Sequence, residues 1–380
     1  MEPAPLKLTL QPLVAEPRRV DIQAVDRELA DLWRIAAEAS EAERIVLSRA
    51  RTLTLVVHAA DPAAGDRLRD VAAQTCQRHP GRAIVLVSDP AEPDVVAAVN
   101  AICVTRRRDQ KQVCCEQILI NASPAAVERL PSLVRRLVLP DMPVALYWPA
   151  PPPDLEFFRD LCDVADRVIV DTATAPDGAG LLATGALAKP AGGTAAPGDL
   201  SWARLTAWRG LTAHFFDPPH TEALDRIVRV RVAHAGSSRA QALLYAAWLT
   251  ARLRWTVVQP FGRGEEPERA ALTDLRGRPV TISLHPESRA PHGVGELLSV
   301  MITTGEGRNG NGSATFSITR RDDAGALLAV AEGGQGQVIR RALPIDPPDE
   351  AALLAGELDL LGHDRVYEGA VRAVAALLGA

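Results

Sequence analysis

The stretch from Pro131 to Thr172 constrains the fold most, because helical and strand-like segments alternate along it. Leu133, Leu137 and Val138 recur at helical spacing. Pro140 and Pro143 bracket the stop, since proline cannot continue a helix and restrains the residue before it. Val144 to Trp148 is a short apolar run of the kind a strand shows when both its faces are covered. Leu155, Phe158, Leu161 and Cys162 make a second helical stripe, and Arg167 to Asp171 a second buried strand. Two such strands joined by a helix form a right-handed parallel crossover. Ligands and partners meet sheets of this kind at the carboxyl ends of the strands. Here those ends carry Trp148, a rigid loop from Pro149 to Pro153, and Asp171.

The same alternation extends upstream. Val20 to Arg49 reads as a long amphipathic helix, Thr52 to Val57 as a strand, Pro62 to Gln77 as a helix and Ala83 to Val87 as a strand. Ala98 to Val104 and Val113 to Asn121 read as a strand pair joined by a charged loop, and Ser123 as a helix cap with Pro124 at the first position. Residues 173–198 are rich in Ala, Gly, Thr and Pro and read as loop, then linker. Beyond them come a helical stretch from Asp199 to His214, a half-exposed strand from Arg226 to Ala233, and an apolar helix that Ser237 and Ser238 open and Leu253 ends. From Pro279 onward, strand-like segments are separated by Gly-Asn and Gly-Gly turns, which predicts an antiparallel meander with one wet face; two helices close the chain. The expected class is α/β: an N-terminal doubly wound, mostly parallel sheet domain followed by an α+β domain with an antiparallel meander. The expected boundaries are a helical segment over 1–50, the α/β domain over 51–175, a linker over 176–198 and the C-terminal domain over 199–380.

Composition narrows the function classes. With 47% hydrophobic and 23% charged residues the chain suits a soluble globular protein, and a net charge of −5 gives no footprint for nucleic acid. No run of about 18 apolar residues is present, and the start MEPAPLKLTL has no signal-peptide pattern, so a cytoplasmic location is expected. The lysines are Lys7, Lys111 and Lys189, and none sits in a Walker or Schiff-base setting. The five cysteines, Cys76, Cys103, Cys114, Cys115 and Cys162, lack zinc-ribbon spacing and are expected reduced, with Cys114 and Cys115 as strand residues. His214, His220 and His234 lack metal-ligand spacing. His58, Ser88 and Asp89 stand at strand ends without an identified base-nucleophile pair. No catalytic, cofactor or metal site is therefore expected. Arg106, Arg107 and Arg108 form a candidate anion site, set against the commoner reading of a solvated hairpin loop.

Asp199 to Pro219, DLSWARLTAWRGLTAHFFDPP, stands out in a chain with only 4% aromatic residues. Trp and Arg are enriched at interface hot spots. Trp202, Arg204, Trp208, Arg209, Phe215 and Phe216, together with Trp148, are accordingly candidate partner-binding residues. A helix that packs two domains together is an equal reading of the same segment.

This segment resembles the hallmark of the glucose-6-phosphate dehydrogenase assembly protein family (OpcA). LPDMPVALYW and CCEQILI are similar to two strands of that family, and the similarity runs from about residue 50 to the end. The resemblance implies a non-catalytic protein without cofactors. Such a protein binds oligomeric glucose-6-phosphate dehydrogenase, promotes its active assembly and raises its response to glucose 6-phosphate, feeding NADPH production in the oxidative pentose phosphate pathway. Redox control in some photosynthetic relatives is attributed to cysteines. Here every cysteine lies at or before Cys162, which departs from that pattern. The alternative is an enzyme or sensor acting on a sugar phosphate or nucleotide at the strand ends of the N-terminal domain.

Overall fold

The structure, a computed structural model, describes residues 9–12, 17–43, 46–49, 51–106, 111–173, 178–187, 195–218, 221–236, 238–262, 264, 267–288, 296–306, 312–333, 338–345, 349–360 and 362–380. The first half forms strands β1 (Thr9–Pro12), β2 (Arg18–Val20), β3 (Val46–Arg49), β4 (Thr54–Ala59), β5 (Arg82–Ser88), β6 (Val95–Arg106), β7 (Lys111–Ala122), β8 (Val144–Trp148), β9 (Arg167–Val170) and β10 (Ala196–Asp199). Its helices are α1 (Val25–Glu43), α2 (Pro62–Thr75), α3 (Leu130–Leu137), α4 (Glu156–Cys162) and α5 (Ala179–Leu187). The strands build one sheet in the order β1-β6-β7-β5-β4-β8-β9-β10, with β2 also on β6 and β3 also on β7. From β7 to β10 all neighbours are parallel, while β6 runs antiparallel to β7.

The apolar runs of β4, β5, β8 and β9 serve two cores. Val56, Leu86, Leu146 and Val168 point toward α1, α3 and α4. Leu55, Val57, Val85 and Ile169 point the other way, toward α2. This is the burial on both faces that a continuous apolar strand requires. Part of the second covering layer comes from the far end of the chain: Leu353, Leu354 and Leu358 of α9 (Glu350–Leu358) pack beside Leu68 and Val71 of α2.

The second half supplies α6 (Leu200–Arg204), α7 (Thr206–Phe215), α8 (Ala240–Leu253) and α10 (Arg365–Leu378). Its strands are β11 (Ile227–Ala235), β12 (Thr256–Gln259), β13 (Glu268–Thr273), β14 (Pro279–Glu287), β15 (Leu297–Thr304), β16 (Thr315–Arg321), β17 (Ala326–Glu332) and β18 (Val338–Pro344), in the order β12-β13-β14-β11-β15-β16-β17-β18. Every neighbouring pair in this sheet is antiparallel except β11 with β14, which is parallel, so the expected meander is interrupted at its centre. Helices α7, α8 and α10 cover one face with a single large core. The edge strand β18 exposes Arg340 and Arg341. Charge on an edge discourages further strand pairing.

Several local expectations change. The long N-terminal helix is shorter, Val25–Glu43, and residues 9–12, 18–20 and 46–49 are strands laid on the long β6–β7 hairpin. Three or four residues are too few to show a period, so only the hairpin's free backbone groups define these strands. Ser123 caps no helix: a turn and a 3₁₀ segment follow it, and α3 begins at Leu130 with Pro131 in its first turn. Residues 176–198 contain α5, and β10 extends the first sheet from their end, pairing with β9. Cys103 and Cys114 are joined in a disulfide, whereas Cys76, Cys115 and Cys162 are free. The two bridged residues are directly opposed across the hairpin, in a buried cluster with Trp33.

Candidate functional site

In the first sheet the chain moves from β4 outward to β5, then returns to place β8 on the other side of β4. Such a reversal opens a crevice at the strands' carboxyl ends, the place where sheets of this class hold ligands. Here His58 at the end of β4 stacks on Trp148 at the end of β8, with ring centroids 4.0 Å apart and planes 4° from parallel. Phe157 and Phe158 of α4 close on Trp148 edge-on. The crevice is thus filled by aromatic rings. His58 is 8% exposed, and burial pushes its imidazole down to about 4, so the ring is neutral at neutral pH. Its Nε2 lies 3.5 Å from Ser88 Oγ, the outer limit of a hydrogen bond. Asp89 does not orient His58; its carboxylate accepts from the Ala91 N–H.

The second candidate is the segment Asp199 to Phe216, which carries the chain from one sheet to the other. Asp199 ends β10 and caps α6, accepting from Ser201 N at 2.8 Å. It also accepts from Thr172 N at 3.2 Å and Thr172 Oγ1 at 2.6 Å, which ties β10 to the end of β9. Burial, helped by the nearby Asp171 charge, pushes the Asp199 carboxyl up to about 7. Asp171 is held in turn by Arg204, whose two terminal nitrogens each donate at 2.8 Å. Burial opposes the Arg204 charge, but the Asp171 carboxylate outweighs it and raises the guanidinium above its ordinary value. Paired forks of this kind are strong and geometrically specific.

Trp202 Nε1 donates to Asp364 Oδ2 at 3.0 Å. Asp364 also caps α10, accepting from Val366 N and Tyr367 N. Arg209 lies over the Trp202 ring, 3.5 Å from its centroid, a cation–π contact. Burial draws that guanidinium down to about 10. Below the segment, Arg167 of β9 donates to Glu357 at 2.6 Å and to Gly362 O at 2.9 Å. Gly198 lets this pair pass: a Cβ there would lie 2.7 Å from Glu357 Oε2 and 2.9 Å from Arg167 Nη2. The segment and the Arg167–Glu357 pair together form a clamp that fastens α10, α9, the carboxyl ends of β9 and β10 and the core of the second sheet.

The structure places the sequence-selected residues as follows. Trp148, Trp202, Trp208, Phe215 and Phe216 are all buried, the last four in the core under the second sheet, where Phe215 and Phe216 face Phe316. Arg204 and Arg209 are half-buried. Arg106 ends β6 opposite Lys111, and Arg107 and Arg108 lie outside the described residues. Asp364, Glu357 and Thr172 carry the clamp but were not singled out from sequence. The signal for Asp364 was present, because an acidic residue three positions before Tyr367 opens a helical run. Among the described residues no group of three His, Cys, Asp or Glu could hold a metal ion, and no helix is long and apolar enough to cross a membrane.

Comparison with known proteins follows both halves. Residues 72–185 match the family described as the N-terminal domain of a glucose-6-phosphate dehydrogenase subunit. Residues 195–371 match the family described as the C-terminal domain of the same subunit. A relative from Synechocystis sp. named OpcA, for the OxPP cycle, is 29% identical over 307 residues, 78% of this chain and 63% of the relative. Its namesake from Nostoc punctiforme is 27% identical over 311 residues, 78% of this chain and 65% of the relative. The chain thus spans less than two thirds of the length of these relatives. Among solved structures, an oxidoreductase from Erwinia carotovora superposes with a TM-score of 0.48 at 11% identity, over 86% of this chain and 97% of that one. One from Sinorhizobium meliloti gives 0.45 at 10% identity, over 85% and 86%. Likeness at that level carries no argument.

Proposed function

The chain belongs to the glucose-6-phosphate dehydrogenase assembly protein family (OpcA), and we propose that it binds glucose-6-phosphate dehydrogenase in the cytoplasm, promotes its active assembly and raises its response to glucose 6-phosphate, without catalysing a reaction itself. The observation that carries this reading is the pair of family matches, one on each sheet-bearing half, each described as a domain of a subunit of that dehydrogenase. The relatives' OxPP cycle names agree with it.

An activator works only if it binds the active enzyme state more tightly than the inactive one. That differential needs a surface of fixed shape. The clamp is suited to this, because Asp171–Arg204, Trp202–Asp364 and Arg167–Glu357 hold the two halves in one relation. In this reading Trp148, Trp202, Trp208, Phe215 and Phe216 act on partner binding by holding that shape. Arg204 and Arg209 are the members of the set with solvent-facing parts. A rival reading, an enzyme or sensor at the strand ends of the first sheet, rests on the His58–Ser88 approach. The aromatic filling of that crevice favours the activator.

The test is co-elution of the purified protein with its cognate dehydrogenase on gel filtration, for wild type and for Arg204→Ala and Arg209→Ala. A shared peak, weakened in at least one Arg variant that melts like a folded protein, supports the proposal. Separate peaks at micromolar concentrations of both proteins would sink it.

A further inference from the structure

A cavity of about 410 Å³ lies between the clamp helices and the inner face of the second sheet. That volume falls within the roughly 300–1,000 Å³ of ordinary ligand pockets. Leu297, Leu327 and Leu343 line it on the sheet side, and Trp208 on the helix side. Gln241 of α8 also lines it, and at 3% exposure it is a buried amide. Gln241 and Trp208 bring an amide and an indole N–H to this wall. A polar group on a cavity wall is satisfied by water, or by a ligand that reproduces the water's hydrogen bonds.

The charges in the wall restrict what such a ligand is. Arg204 spends both terminal nitrogens on Asp171. Arg320 donates to Glu296 at 2.7 Å, and both of these residues line the cavity. Each cation is already matched by a carboxylate, and an anionic ligand would have to displace one. A neutral molecule need not. The Glu296 carboxylate and the Gln241 carbonyl oxygen accept hydrogen bonds, while the Arg320 guanidinium, the Gln241 amide N–H and the Trp208 N–H donate them. Thr206 adds a hydroxyl that does both. Alternating donors and acceptors on planar groups, beside an aromatic and aliphatic wall, suit adjacent hydroxyls on a ring with an apolar flank.

We propose that this cavity is a binding site for a neutral polyhydroxylated ring, a sugar or cyclitol, held by Gln241, Trp208 and the Arg320–Glu296 pair. The site is independent of dehydrogenase binding and is read on the protein alone. Calorimetric titration with D-glucose, D-galactose and myo-inositol is the experiment, with glucose 6-phosphate and citrate as charged arms. Saturable binding of at least one neutral probe is expected, at least tenfold weaker in Gln241→Leu and in Leu343→Trp. The second variant fills the cavity from the edge strand, so it keeps the test decisive where the first fails to fold. The proposal is overturned if the charged arms alone bind, if no neutral probe binds and the cavity holds only water, or if a folded variant binds as wild type does.

Discussion

Replacing Asp199 with Asn isolates the electrostatic cost of the clamp. The carboxyl is fully buried, and burial together with the Asp171 charge pushes it from 3.8 up to about 7. A raised carboxyl ionises more readily in the unfolded chain than in the folded one. Its contribution to stability is therefore fully present below about pH 4, is lost as pH rises, and is gone above about pH 7. Three pH units at about 1.4 kcal/mol each set a ceiling of about 4 kcal/mol. Asn keeps an oxygen for the Ser201 and Thr172 N–H groups and can turn its amide N–H toward Thr172 Oγ1, which then accepts. It never ionises. Urea unfolding of wild type and Asp199→Asn, followed by circular dichroism from pH 4 to pH 8, reads the difference. The variant is expected to gain on wild type as pH rises, reaching about 2–4 kcal/mol at pH 8. A difference that stays flat with pH, or that moves against the variant, would refute the reasoning.

Four further outcomes follow. His58 sits in the opposite regime: its imidazole is lowered from 6.5 to about 4, so the stability it contributes is present above pH 6.5 and lost as pH falls toward 4, by about 3 kcal/mol at most. His58→Phe keeps a ring on Trp148 and should flatten that acid slope in melts from pH 7.5 to 4.5; an unchanged slope counts against the assignment. Trp202→Ala should cost about 3–5 kcal/mol in urea unfolding, whereas Arg209→Ala, which removes the cation over that ring and its long hydrogen bonds to Trp202 O and Thr206 Oγ1, should cost about 0.5–2 kcal/mol; equal costs would show that the indole is not the anchor. Reducing the Cys103–Cys114 bridge, which closes a separation of 11 residues, should lower stability by about 3 kcal/mol, and the Cys103→Ala/Cys114→Ala protein should melt identically with and without dithiothreitol. Dehydrogenase activation should meanwhile be insensitive to mild oxidant, and a reversible loss of activation on oxidation would overturn that expectation.

The parallel sheet was legible because its strands carry apolar runs of three to five residues between helical stripes, and a chain must bury both faces of such strands. The terminal strands were not, since β1, β2 and β3 have four residues or fewer and take their register from the hairpin. The disulfide could have been found. Once Arg106 and Lys111 are taken as the last pair of the hairpin, counting back places Cys103 opposite Cys114. The clamp segment was recognisable by its composition, but not its orientation, because partners such as Asp364 and Glu357 lie more than 150 positions away. The same aromatic and arginine content suits a binding surface and a buried wedge, and burial alone distinguishes them. Packing of α9 against α2 was likewise invisible, since both helices show only that one face is apolar.

The central claim is that this chain changes the response of glucose-6-phosphate dehydrogenase to its substrate. Initial rates of NADPH formation by the cognate dehydrogenase, measured across glucose 6-phosphate concentrations with and without the purified protein, test it most directly. The expected result is a lower half-saturating concentration that depends saturably on the added protein. An identical curve at every ratio of the two proteins would contradict the account.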